Sequence, residues 1–417
     1  MNEKLLQYIW QFQLYNKKEL FTTDDKPLQI LQHGNYNTNQ GPDFLNASII
    51  IDTIKWAGNI ELHVYAGDWL KHNHQTDKNY TNVILHVVWN NDVAVNNGIP
   101  VFVLKERVAK LLLDKYTNLM QQALQRNCYN FLPVLNQLGW SSWKERLVIE
   151  RLQRKAGSML TSLQKNNNSW EEVFWQKIAA NFGTKVNSDF FEAIAASIPS
   201  TILSKHKNQI NQLEALLLGQ ANLLNADVTD SYARMLKKEY LFLRKKHNLT
   251  TLFMQPHFLR MRPANFPTIR LAQLAMLINN STHLFSKIKE IENIDALKNL
   301  FNVTANDYWH YHYSFDEETP HKPKHLGEQM VQNIIINTII PLIFAYGNYI
   351  KDEKYNERAL QFLQVLAPEI NNITKSWKGF ADNKCAFDSQ ALIELTNNYC
   401  SLQKCLQCAV GNKILRS

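Results

Sequence analysis

The sequence predicts an α+β protein: a mixed-sheet α/β module over residues 1–125, followed by a large all-α region over residues 126–417. Three observations predict it. Between Ala47 and Leu104 apolar residues alternate with the period of two that marks strands. Beyond residue 125 they recur at helical spacing, punctuated at Pro199, Asn248, Pro263 to Pro267 and Pro368. The composition, 45% hydrophobic and 20% charged over 417 residues, supports two or more buried cores and excludes wholesale disorder.

The elements follow in order. Leu5, Leu6, Ile9, Trp10 and Phe12 fall on one face of an opening helix over residues 4–14. A turn-rich stretch from His33-Gly34 to Gly41-Pro42 leads into two strands, Ala47 to Ile51 and Ile54 to Tyr65, around a tight Asp52-Thr53 connection. Residues 67–80 are polar. Val83 to Trp89 and Pro100 to Leu104 read as two more strands, and Glu106 to Gln125 as a helix. The apolar run Ile334 to Tyr346 contains Asn337, Thr338 and Pro341, and falls short of the roughly 20 apolar residues that a bilayer demands. No membrane association is expected. The first residues carry no apolar export signal, so a cytoplasmic location with reduced cysteines is expected.

Charge and histidine are unevenly placed. Residues 1–125 hold 11 basic and 12 acidic side chains, a net of −1, so the helical region carries a net of +9. Five of the 13 histidines (His33, His63, His72, His74 and His86) fall within residues 33–86. One region thus concentrates groups that bind metals or move protons, while the other supplies positive potential. In the helical region the basic stretches include Arg151 and Arg154, six cations between Arg234 and Lys246, and Arg260, Arg262 and Arg270 around a proline-marked helix entrance. Arginines at a helix start can hold phosphates, and neighbouring Phe253, Phe258 and Phe266 can stack bases, so nucleic acid is the expected partner. The run Tyr308-Trp309-His310-Tyr311-His312-Tyr313 reads as a half-buried strand or loop packed on helices.

The most informative stretch is Gly41-Pro42-Asp43-Phe44 with Glu61-Leu62-His63. In a strand Glu61 and His63 share a face, and the hairpin can bring Asp43 to Glu61. Two convergent carboxylates suit Mg²⁺ or Mn²⁺, and His63 suits a water-orienting base. The catalytic candidates are therefore Asp43, Glu61 and His63. Downstream, His72 and His74 could join His63 around Zn²⁺ or Fe²⁺ if their segment is extended. His86, in an apolar strand, reads as a hydrogen-bonded core residue.

Pro42-Asp43 and Glu61-Leu62-His63 resemble the motif of the PD-(D/E)XK nuclease superfamily. Its core runs helix, strand hairpin, helix, strand, with Asp on or before one strand and Glu-x-Lys on the next. The resemblance implies a metal-dependent nuclease or phosphodiesterase. His63 stands where that superfamily usually has Lys, with Lys55 and Lys71 as possible substitutes. The ordered set Gly41-Pro42-Asp43-Phe44, Gly58 to His63, Asp68-Trp69, His72-Asn73-His74 and Val83 to Val88 also resembles a bacterial family known only as a conserved domain of unknown function. That resemblance runs on through Arg260 to Pro267 and Leu326-Gly327 to the terminal cysteines.

Cys400, Cys405 and Cys408 form a C-x4-C-x2-C arrangement, with Cys385 nearest as a fourth thiolate and Cys128 more distant. Four thiolates would select a structural zinc or an iron–sulfur cluster. Some nucleases of the superfamily carry such a cluster. Two other functions fit the same residues: a non-catalytic nucleic-acid or protein-interaction protein on a nuclease-like scaffold, and a Zn²⁺ or Fe²⁺ hydrolase built on His63, His72 and His74.

Overall fold

The computed structural model describes residues 1–95, 98–120, 128, 135–224, 229–258, 261–281 and 283–416. The chain divides into two units, Met1–Ser141 with Leu395–Ser417, and Ser142–Glu394. The cysteine-bearing end thus folds with the N-terminal sheet rather than with the helices that precede it.

In the first unit, helix α1 (Glu3–Gln11) is capped by Asn2, whose side chain accepts the Leu5 N–H at 2.9 Å. Its apolar face, Leu5, Leu6, Ile9 and Trp10, is buried, and the helix packs on strand β5. Each such aliphatic side chain contributes about 1.5–3 kcal/mol. Glu3 and Gln7, one turn apart and half-buried, flank that face.

The sheet comprises β1 (Leu20–Phe21), β2 (Pro27–Gln32), β3 (Asn35–Tyr36), β4 (Phe44–Ile51), β5 (Ile54–Tyr65), β6 (Val83–Asn90) and β7 (Val101–Val103). Its order is β1-β2-β4-β5-β6-β7, with β3 beside β4. Pairing is antiparallel from β1 to β5 and parallel from β5 to β7. The β4–β5 hairpin turns through Asp52 at φ +53°. A register shift between Phe44 and Ala47, with Asn46 at φ +60°, ends the regular pairing and sets Asp43 against Glu61 and Leu62. Strand β6 is buried along almost its whole length, as a parallel strand covered on both faces must be. The β5–β6 connection contains α2 (Asp68–Lys71) and a 3₁₀ turn, Lys78–Tyr80. The helix expected over Glu106 to Gln125 is a 3₁₀ turn, Lys105–Arg107, followed by α3 (Lys110–Met120). Residues 121–125 of that expectation lie outside the described residues.

The second unit is helical. It includes most of α4 (Gln137–Lys165), then α5 (Trp170–Phe182), α6 (Thr184–Ser197), α7 (Ser200–His206), α8 (Ile210–Gln220), α9 (Ser231–His247) and α10 (Pro267–Asn280). Helix α8 is buried from Leu213 to Gln220 and α10 from Pro267 to Ala275, so both are central helices rather than surface ones. Helices α8 and α9 meet closely because Gly219 faces the Tyr240 ring, and a Cβ there would stand inside the ring. Gly219→Ala is therefore expected to destabilise the protein by about 1–3 kcal/mol through overpacking, read as a lower urea midpoint. No change would mean that Tyr240 moves aside freely.

The expected aromatic–histidine strand or loop is a 3₁₀ turn, Asp307–His310. Trp309 and Tyr232 donate to the buried Glu214 at 3.1 and 2.7 Å. One helical stretch, Glu328–Ile350, is long and apolar enough to cross a membrane, and 78% of its most apolar window is buried inside the unit. Within it Ile335–Ile339 is a π segment. Pro341 has no N–H to offer the Asn337 carbonyl four residues back, and Lys155 Nζ donates to that carbonyl at 3.3 Å and to Asn337 Oδ1 at 2.8 Å.

Candidate metal centre

Strand β5 and the crossover that follows it build the site, at the C-terminal end of a strand where open α/β sheets place ligands. Residues Ile60 to His63 are buried on both faces of β5, so Glu61 and His63 point into a closed region. The Asp43 N–H donates to Glu61 Oε2 at 3.0 Å. The Asp43 carboxylate in turn accepts the Leu62 N–H on Oδ2 at 3.1 Å and Gln7 Nε2 on Oδ1 at 2.7 Å. Tyr36 OH donates to Gln7 Oε1 at 3.2 Å. Both Asp43 oxygens and one Glu61 oxygen are thus engaged by protein donors.

The remaining oxygen, Glu61 Oε1, lies 3.6 Å from His63 Nε2 and 3.6 Å from His74 Nε2. His72 Nδ1 is 3.1 Å from His63 Nε2. The three histidines present ring nitrogens all within 4.8 Å of one another. Donors about 2.0–2.1 Å from a shared tetrahedral ion stand roughly 3.3–3.4 Å apart, close to these separations. A hydrogen-bonded chain of rings alone would leave His74 Nε2, which is buried and without a hydrogen-bond partner, facing Glu61 Oε1 across a gap too long for a hydrogen bond. A cation satisfies both. The residues fit a metal.

The convergence of His72 and His74 does not come from an extended segment. Helix α2 ends in a left-handed Asn73 at φ +59°, with Asn73 N–H bonded to Leu70 O at 3.1 Å and His74 N–H to Trp69 O at 3.3 Å. This double closure carries the chain past the helix end, and the His74 and Trp69 rings meet with centroids 5.3 Å apart. Asn tolerates that backbone better than most residues. Tyr80 then stacks on His74 at 3.8 Å.

His86, fully buried in β6, holds His63 from behind, with Nε2 2.9 Å from His63 Nδ1. A donor bond from His63 Nδ1 to His86 leaves the His63 Nε2 lone pair directed into the cluster. Burial drives Asp43, Glu61, His63, His74 and His86 towards their neutral forms. It lowers the His63 pKa to about 3, helped by His86, His74 and His72. It lowers His86 to about 4, with help from His74. Burial, then the neighbouring Asp43, raises Glu61 to about 9. Asp43 rises to about 7 by burial, with Glu3 adding. Neutral imidazoles are the ligating form, and carboxylates destabilised by burial are relieved by a cation.

His33 stands apart, 2.8 Å from Tyr15 OH. Lys71 is paired with Asp68 at 2.6 Å, and Lys55 is exposed near the start of β5 beside Ile50, so neither joins the centre. Gln7 belongs to the site without having been expected there, while Trp69 and Tyr80, in the stretch that carries the candidate ligands, pack against the His74 ring. The one available signal was Gln7, a helical turn from Glu3 on α1.

The other expected sites are placed differently. Arg151 is largely buried, donating to Gln390 Oε1 at 2.7 Å and to Glu394 Oε2 at 3.4 Å, and Arg154 binds the same Glu394 oxygen. Arg270 is buried, Arg262 is exposed, and Arg260 lies outside the described residues. The five cysteines are not joined in disulfides. Cys385 falls in the second unit, whereas Cys400, Cys405 and Cys408 fall in the first. Burial pushes the Cys408 thiol up to about 12, with Cys128 and Cys405 adding. Among the described residues no three thiols gather as the histidines do.

Sheet and site together define an α+β protein with a candidate histidine–carboxylate metal centre on a parallel crossover. The chain belongs to the family described as protein of unknown function (DUF2851), whose model matches residues 3–372. The match stops before Cys385 and the terminal cysteines. Comparison with curated proteins and with solved structures gave no match.

Proposed function

We propose that the crossover site is the active site of a metal-dependent hydrolase that cleaves phosphodiester bonds in nucleic acid. The observation that carries this reading is the His63, His72 and His74 ring nitrogens within 4.8 Å of one another, with Glu61 Oε1 3.6 Å from two of them, His63 Nε2 and His74 Nε2. Three imidazoles and one carboxylate favour Zn²⁺ or Fe²⁺ over the Mg²⁺ or Mn²⁺ expected from Asp43 and Glu61 alone. Asp43, with both oxygens engaged, acts as a positioning residue for Glu61 and the Leu62 backbone. His72 is exposed, so solvent and substrate approach from its side. A divalent ion held here supplies Lewis acidity toward a phosphoryl oxygen and toward water.

The phosphodiester assignment draws support from topology. Helix α1, the antiparallel β2–β4–β5, a crossover and the parallel β6 follow the order of the PD-(D/E)XK core. The two motif positions lie side by side, with the Asp43 backbone N–H donating to Glu61 Oε2. Cations available to a polyanion include Arg262 and, on α9, Arg234, Lys238, Lys245 and Lys246, all exposed.

The test uses purified protein, wild type beside Glu61→Ala, assayed for bound metal and for cleavage of single- and double-stranded DNA and RNA. Cleavage by the wild type alone, restored after chelation by Zn²⁺ or Fe²⁺, is the expected result. Salt-sensitive binding without cleavage of any substrate would overturn it in favour of a binding protein on this scaffold.

A further inference from the structure

We infer that the second unit contains a separate binding site for a small organic anion, a phosphate monoester or carboxylate, held by the buried guanidinium of Arg270. This inference is independent of the metal centre and uses none of its residues. A cavity of about 730 Å³ is lined by Asn181 and Thr184 at the α5–α6 junction, by Lys185, and by Asn265 and Arg270 at the entrance to α10. That volume is within the range of small-molecule sites.

Arg270 is 7% exposed. Its NH1 group donates to Gln273 Oε1 at 2.9 Å and its NH2 group to Asn265 Oδ1 at 2.5 Å, both neutral amides. Its Nε is buried and has no partner. Among the described residues Arg270 forms no ion pair, unlike Arg151 and Arg154, which share Glu394. A buried cation with only neutral partners is costly, and an anion is what removes that cost.

The geometry indicates which edge is open. Asn265, partner of NH2, lines the cavity, whereas Gln273, partner of NH1, does not. The Nε–NH2 edge therefore faces the cavity, and that edge can grip a carboxylate or phosphate with two parallel hydrogen bonds. Two carboxylates also line the space. Glu369 is engaged by Asn371 at 3.0 Å and by Gln390 at 2.9 Å, and Glu328 is exposed. Neither reaches Arg270.

Further observations fit a ligand. Asn181 lines the same cavity, and its Oδ1 is buried without a partner, available to a hydroxyl or amine on the ligand. Thr184 holds φ +55°, a strained conformation for a β-branched residue, of the kind that clusters at binding sites. Ala180, Met330, Ile336 and Ile370 supply an apolar wall, which selects an organic anion over a bare inorganic one.

The test is thermal unfolding of the full chain with inorganic phosphate or phenyl phosphate, against chloride at matched ionic strength. Phenyl phosphate is expected to raise the wild-type Tm by about 2–4 °C and inorganic phosphate by less. The shift should vanish in Arg270→Gln and weaken at least threefold in affinity in Lys185→Ala, whose side chain is exposed and whose loss leaves folding intact. No shift in the wild type would overturn the proposal, as would equal shifts in wild type and Lys185→Ala. The second comparison decides even if Arg270→Gln fails to fold.

Discussion

Glu61→Ala is expected to leave the purified protein with less than a tenth of the bound metal carried by the wild type. Glu61 Oε1 is the one carboxylate oxygen in the cluster not engaged by a protein donor, and it sits 3.6 Å from two of the histidines. Without it an ion meets only neutral imidazoles in a buried site, and no charge offsets its desolvation. His63→Ala should be as severe, because Nε2 of that ring contacts both Glu61 and His72. His72→Ala should be milder, near tenfold in affinity, since its exposed ring is the ligand water can replace. His86→Ala touches no ligand position yet should weaken binding about 10–100-fold by freeing the His63 ring. The measurement is metal per chain after dialysis against graded chelator, with near-ultraviolet circular dichroism as the check on folding. Equal affinity across all four variants would sink the centre.

The sequence carried the strands better than the site. The hairpin β4–β5 and strand β6 were legible because their apolar patterns extend over 8 to 12 residues and meet turn signals at both ends. Strand β2 was not, since Pro27, Gln29 and Gln32 dilute its pattern and only Leu28 is buried. Strands β1 and β3, two residues each, have no period to read. In the site, Asp43, Glu61 and His63 could be named from motif and alternation. The closing of His72 and His74 could not, because spacing of two suggests an extended segment, whereas a left-handed Asn73 after a helical turn does the work. That conformation is a backbone choice, and many of the asparagines in this chain do not make it. Arg151 and Arg154 misled for a different reason. A basic stretch on a helix looks solvated until its partner is known, and Glu394 lies 240 residues from Arg154 in sequence.

That partnership carries the largest stability effect expected in the helical unit. Glu394 ends the helix Ala386–Glu394 and is 3% exposed, and a single oxygen receives both Arg151 and Arg154. Replacing it by Ala leaves Arg151, which burial already disfavours as a cation, hydrogen-bonded to the neutral Gln390, with Glu369 as the nearby carboxylate. Stranding one member of a buried pair costs about 3–5 kcal/mol. Glu394→Ala should lose that much in urea unfolding, while Glu394→Gln, which keeps an acceptor oxygen, should lose clearly less. The triple replacement Arg151→Met, Arg154→Leu, Glu394→Leu should recover most of the loss, because apolar side chains of similar volume avoid the desolvation that the ions incur. If Glu394→Ala costs under about 1 kcal/mol, the network is solvated rather than buried. Arg151 would then return as a candidate for phosphate contact, and the basic face of the helical region would have to be redrawn around α4 rather than α9.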